Sequence, residues 1–246
     1  DRNGSGGAKG IDIREWHRQG LVDFISIGAH WRGETATPIA KFKKDLFQGF
    51  KKTIPVYGSI DDGGYQPREF FSEGMYRGMA SHILGQGGDG LYLFNFYFEN
   101  DAKVDYSKAL NASGLVHRTR SQRLLTDLGD PTLVASRNKI YCASDGVTNA
   151  YGVLQIADLP MACGNGKKSN IGIFVGDHPN SKNLQSRLLF IRTDKKARMD
   201  LTVNNKEVKP LDSSLAVQYD RVKGLQDGEE VYVYEIPQNA LQQGEN

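Results

Sequence analysis

Apolar positions along the first part of the chain change period in a regular rhythm. Asp12 reads as a helix N-cap with Glu15 at the capping-box position, and Gly20 as the stop. Ile13 and Trp16 supply the apolar face, which predicts a core role for Trp16. The run Leu21-Val22-Asp23-Phe24-Ile25-Ser26-Ile27-Gly28 suits a buried strand. Pro38 then opens an amphipathic helix with Ile39, Phe42, Leu46 and Phe50 at helical spacing. The unit repeats. A second strand spans Thr53 to Ile60, although Pro55 weakens it as a central one. A helix follows from about Pro67 to Leu84. The glycine-rich Gly85-Gln86-Gly87-Gly88-Asp89-Gly90 ends it, and the most apolar strand, Leu91 to Phe98, starts at once. A polar loop, a helix from His117 to Leu128 and a short strand at Ile140 to Ala143 complete this half.

From about Val147 the helical period fades. Ile171 to Val175, Ser186 to Ile191, Met199 to Val203 and Glu230 to Glu235 are strand-like, separated by turn clusters such as Asn204-Asn205. Strands alternating with helices predict a parallel sheet flanked by helices, and short strands at this later spacing predict a β-sandwich. The fold class is therefore α/β followed by all-β, with a partial βα domain over 1–145 and a β-sandwich domain over 146–246. Three βα units do not close a (β/α)8 barrel, which takes ~250 residues. The first domain is either a small open sheet or part of a larger barrel, and both ends of the chain read as internal to a longer protein.

Composition narrows little. Hydrophobic residues at 39% and charged residues at 24% are ordinary for a globular protein. A net charge of +2 gives no electrostatic reason to expect nucleic acid or an anionic membrane. No apolar run approaches a membrane span, and no signal peptide is present in the chain. Cys142 and Cys163 are compatible with two buried thiols or one disulfide, without CxxC spacing. The glycine-rich start misses both dinucleotide and P-loop spacing. Asp177-His178 lacks a metal-site context, and no G-x-S-x-G elbow occurs. No cofactor or metal is expected.

Two strings carry a resemblance: Gly10-Ile11-Asp12-Ile13-Arg14-Glu15-Trp16-His17-Arg18-Gln19-Gly20-Leu21-Val22-Asp23 and Asp89-Gly90-Leu91-Tyr92-Leu93-Phe94-Asn95-Phe96. They resemble the later strands of bacterial glycoside-hydrolase-like TIM-barrel proteins. Leu128-Gly129-Asp130-Pro131 is similar to the turn ending their last barrel helix, and Leu201 to Asn205 with Leu241 to Asn246 is similar to parts of an appended jelly-roll-like domain. The resemblance implies that the strands at Val22, Ile54 and Leu91 are the sixth, seventh and eighth of a barrel. It further implies a carbohydrate substrate or ligand and a periplasmic or extracellular location.

In such barrels working residues sit at the C-terminal ends of strands. That rule selects His30, Trp31 and Glu34; Tyr57, Asp61 and Asp62; and Asn95, Tyr97 and Glu99. Glycosidases need two carboxyl groups, one donating a proton and one acting as nucleophile or activating water. Asp61 or Asp62 is the nucleophile or base candidate, Glu99 the second carboxylate. The family more often has Glu after strand seven, and the competing reading of Asp61-Asp62-Gly63-Gly64 is a solvated turn. Likewise Glu99-Asn100-Asp101 also reads as a plain polar loop. His30, Trp31, Glu34, Tyr57, Asn95 and Tyr97 are the substrate-binding candidates. Trp31 reads equally as a sugar platform or a core residue. Asn95, alternating with Phe94 and Phe96, reads as an interior-facing ligand contact or a satisfied interior polar group.

The functional expectation is a glycoside-hydrolase-like protein acting on polysaccharide or oligosaccharide by two-carboxylate hydrolysis, with this chain its C-terminal part. The alternative is a non-catalytic carbohydrate-binding or interaction module on a degenerate barrel scaffold. An open half-barrel exposes sheet edges and apolar faces, so an N-terminal barrel segment or self-association is the expected protein partner. Neither nucleic acid nor a membrane span is expected.

Overall fold

A computed structural model describes residues 10–28, 37–61, 72–94, 96, 120–143, 168–177, 186–219, 225 and 227–246. The chain forms two compact units, Asp1–Gly176 and Asp177–Asn246.

The first unit begins with helix α1 (Ile13–Arg18). Asp12 caps it, its Oδ1 accepting the Glu15 amide at 2.9 Å. The Glu15 carboxylate does not close a capping box; it pairs with Arg18 and Gln19, which hold its pKa down to about 2. Gly20, at φ 69°, ends the helix, and the Leu21 amide returns to the Trp16 carbonyl at 2.9 Å. Trp16 corrects the sequence reading, being 38% exposed. The neighbouring His17 is buried instead, edge-on to Phe47 and Phe50, with Nε2 3.0 Å from the Lys52 carbonyl. Ile13 and His17, one helical turn apart, face the core; Trp16 lies off that stripe.

Three parallel strands follow in chain order, β1 (Ile25–Ile27), β2 (Val56–Asp61) and β3 (Gly90–Phe94), with β2 in the middle. Pro55 is tolerated because the strand starts after it. Its carbonyl accepts the Ile25 amide at 3.0 Å, and no ladder donor is lost. Helices α2 (Ile39–Phe47) and α3 (Glu73–Gly85) connect the strands. Both bury apolar faces, α2 through Ile39 and Leu46, α3 through Met75, Tyr76, Met79, Ala80 and Ile83. Gly58 of β2 lets Ile83 of α3 approach, since a Cβ there would lie 2.5 Å from the Ile83 side chain. The core joins these side chains to Ile25, Ile27, Ile54, Val56 and Ile60. Pro38 supplies no side-chain cap for α2. The far end of α3 compensates: Gln86 Oε1 accepts the Ala40 amide at 3.3 Å, and His82 Nε2 lies 2.8 Å from the Thr37 carbonyl.

Of the strand expected to reach Phe98, the described part is Gly90–Phe94; Asn95, Tyr97 and Phe98 lie outside the described residues. Phe96 turns toward the helices and meets the Tyr76 ring edge-on at 5.7 Å. Helix α4 (Arg120–Leu128) matches the expected helix, but the chain then makes another, α5 (Pro131–Ser136). Asp130 caps it by accepting the Thr132 amide at 2.8 Å, and Pro131 fits where a helix needs no donor. Ile140 to Ala143 is not a strand. It lies across α3 where Gly74 and Gly78 leave room, and the Ile140 amide donates to the Gly74 carbonyl at 2.9 Å. A two-residue strand, β4 (Phe174–Val175), closes the unit.

The second unit is mainly antiparallel. β5 (Leu188–Thr193) and β8 (Lys209–Pro210) flank β9 (Glu230–Glu235). β6 (Thr202–Val203) and β7 (Lys206–Glu207) form a hairpin over Asn204-Asn205. Both asparagines have positive φ, 48° and 64°, as a two-residue primed turn requires. Helix α6 (Ser214–Gln218) buries Ala216 beside Val231 and Val233 of β9. A last short strand is β10 (Gly244–Glu245). Among the described residues of the whole chain, no helix is long and apolar enough to cross a membrane.

Candidate functional site

Side chains alternate across a strand, and the two faces of the parallel sheet differ in kind. Val56, Gly58 and Ile60 of β2, with Leu91 and Leu93 of β3, belong to the helix-packed side. Tyr57, Ser59 and Asp61 point the other way, as do their register partners Gly90, Tyr92 and Phe94. That second face is rich in aromatics, and several of its rings are exposed. Phe24 is 56% exposed, Tyr92 46% and Phe94 38%. The rings of Phe24 and Tyr57 lie 5.6 Å apart, those of Tyr92 and Phe94 6.2 Å apart. Parallel sheets normally have both faces covered, so rings this exposed are unusual there.

Its rows interlock large with small. Ser26, Tyr57 and Gly90 form one register row. A Cβ on Gly90 would lie 2.9 Å from the Tyr57 ring, so the glycine makes room for the tyrosine. In the next row Gly28 sits against Ser59, whose own neighbour across the ladder is Tyr92. Beyond it Asp61 is paired in register with Phe94 at the C-terminal end of both strands.

Asp61 is the carboxylate that β2 places on this face. It is 1% exposed, and it ends the middle strand of the sheet. The solvated-turn reading therefore fails for Asp61. Burying a carboxylate is costly unless neighbours support it, and a buried carboxyl at the C-terminal rim of parallel strands is where barrel enzymes hold catalytic groups.

The other predicted residues fall differently. Tyr57 belongs to the same face but is the second residue of β2, four positions or ~13 Å of strand from Asp61. Its ring contact is with Phe24. Asp62, Glu99, His30, Trp31, Glu34, Asn95 and Tyr97 lie outside the described residues, as does Cys163; Cys142 is half-buried against the core. Phe24, Tyr92 and Phe94 were missed as surface residues by sequence reasoning. Alternation within Gly90–Phe94 carried the signal. Phe94 belongs to the face away from the helices.

Two further polar clusters are structural. Arg77 of α3 pairs with Glu73 at 2.7 Å and with Asp127 of α4 at 2.8 Å. Lys43 of α2 reaches Asp89, just ahead of β3, at 2.8 Å. Among the described residues, no three His, Cys, Asp or Glu side chains gather as a metal site. No protein-family model matches the chain, and no curated protein matches it significantly.

Proposed function

We propose that the parallel sheet is the C-terminal part of a (β/α)8 barrel of glycoside-hydrolase-like type, with β1, β2 and β3 as its sixth, seventh and eighth strands. In this reading the protein hydrolyses glycosidic bonds in a polysaccharide or oligosaccharide outside the cytoplasm. The second unit is an accessory β-sandwich domain. Asp61 acts as nucleophile or base, and the single observation that carries the assignment is its burial at the C-terminal end of the middle strand.

The open face supports the barrel. Small residues set beside large ones, as Gly90 under Tyr57, are how the tapering interior of a closed sheet is filled. The proton donor comes from Glu99 or from a strand contributed by the rest of the barrel. A separation of ~5–5.5 Å between the two carboxyl groups retains configuration, and ~6.5–9.5 Å inverts it.

A second reading is a non-catalytic carbohydrate-binding module, favoured by the exposed rings of Tyr92 and Phe94. A glycan panel assayed with the full-length gene product separates the two. Asp61→Asn is expected to lower hydrolysis by at least ~100-fold while glycan binding persists. Unchanged hydrolysis in a folded Asp61→Asn variant would overturn the catalytic assignment. Binding without turnover in the unaltered protein would favour the module.

A further inference from the structure

We draw no further inference here: the strongest candidate, the groove of about 320 Å³ beside β3 that is lined by Leu84, Asp89, Leu91, Leu93, Leu125 and Leu128, carries nothing because nothing in the structure shows what covers it.

Discussion

Asp89 and Val56 clasp each other across the start of the central ladder. The Val56 amide donates to Asp89 Oδ2 at 2.8 Å, and the Asp89 amide donates to the Val56 carbonyl at 2.9 Å. The clasp precedes the first register pair, Tyr57 with Gly90, and so holds β2 and β3 in phase. A slip by one residue would exchange the faces of the sheet and send Tyr92 into the helices.

The clasp predicts an acid-sensitive contribution to stability. Partial burial raises the Asp89 pKa, but the Lys43 ammonium and the Val56 amide outweigh it, leaving the group below its ordinary 3.8. A depressed folded pKa means the contribution is complete above the unfolded value and is lost as pH falls through the folded one. Urea unfolding from pH 7 down to about pH 2.5 should show a smaller loss for Asp89→Asn than for the unaltered protein. The side chain is 41% exposed, so the difference should stay below ~1 kcal/mol. Identical pH profiles would refute the linkage.

The Arg77–Asp127 pair is better shielded, with side chains 14% and 8% exposed, and joins α3 to α4. Asp127→Ala leaves the guanidinium with Glu73 alone, and it should cost ~3–5 kcal/mol. Replacing both partners, as Arg77→Met with Asp127→Leu, should cost clearly less than the two single changes added together. Chemical denaturation of the four proteins in a double-mutant cycle measures this, and strict additivity would deny the coupling.

Helix propensity and packing disagree at Gly78, which makes it a clean test of the fold. An exposed Gly→Ala change inside a helix gains up to ~1 kcal/mol. Here the new Cβ would fall 2.0 Å from the Ile140 carbonyl oxygen. Gly78→Ala should therefore destabilise by ~1–3 kcal/mol. At Gly74 the nearest atom is the end of the Ile140 side chain, at 2.9 Å, which can rotate away. Gly74→Ala should cost less than Gly78→Ala in thermal unfolding. A stabilised Gly78→Ala would mean that residues 140–143 do not cross α3.

These contacts mark how far the sequence could be read. Local signals were sufficient where the chain itself sets the geometry: the Asp12 cap, the strand–helix rhythm through Gly90, and the Asn204-Asn205 hairpin. They failed where a distant partner decides. Ile140 to Ala143 has strand-like residues, but its backbone partner is a helix carbonyl exposed by two glycines far earlier in the chain. His17 displaces Trp16 from the core because Phe47, Phe50 and the Lys52 carbonyl satisfy it. Asp61 precedes Asp62-Gly63-Gly64, a string that reads as a turn, yet it is the buried last residue of β2. Asp130-Pro131 also reads as a turn, yet the aspartate caps the short helix α5.

The open aromatic face yields the test that best separates the barrel from an isolated sheet. Tyr92 and Phe94 are 46% and 38% exposed in this chain, so replacing either with serine removes only part of the buried area that a core aromatic would lose. In the 246-residue chain each substitution should cost ~1–2 kcal/mol, about half of what a fully buried aromatic loses. In a gene product carrying a complete barrel the same positions face the filled interior, where truncating a large aromatic costs ~3–5 kcal/mol. The comparison uses the same substitutions in both proteins, so local strand propensity cancels. Equal effects in the two would mean that these rings stay partly exposed, and the barrel reading would lose its main physical support.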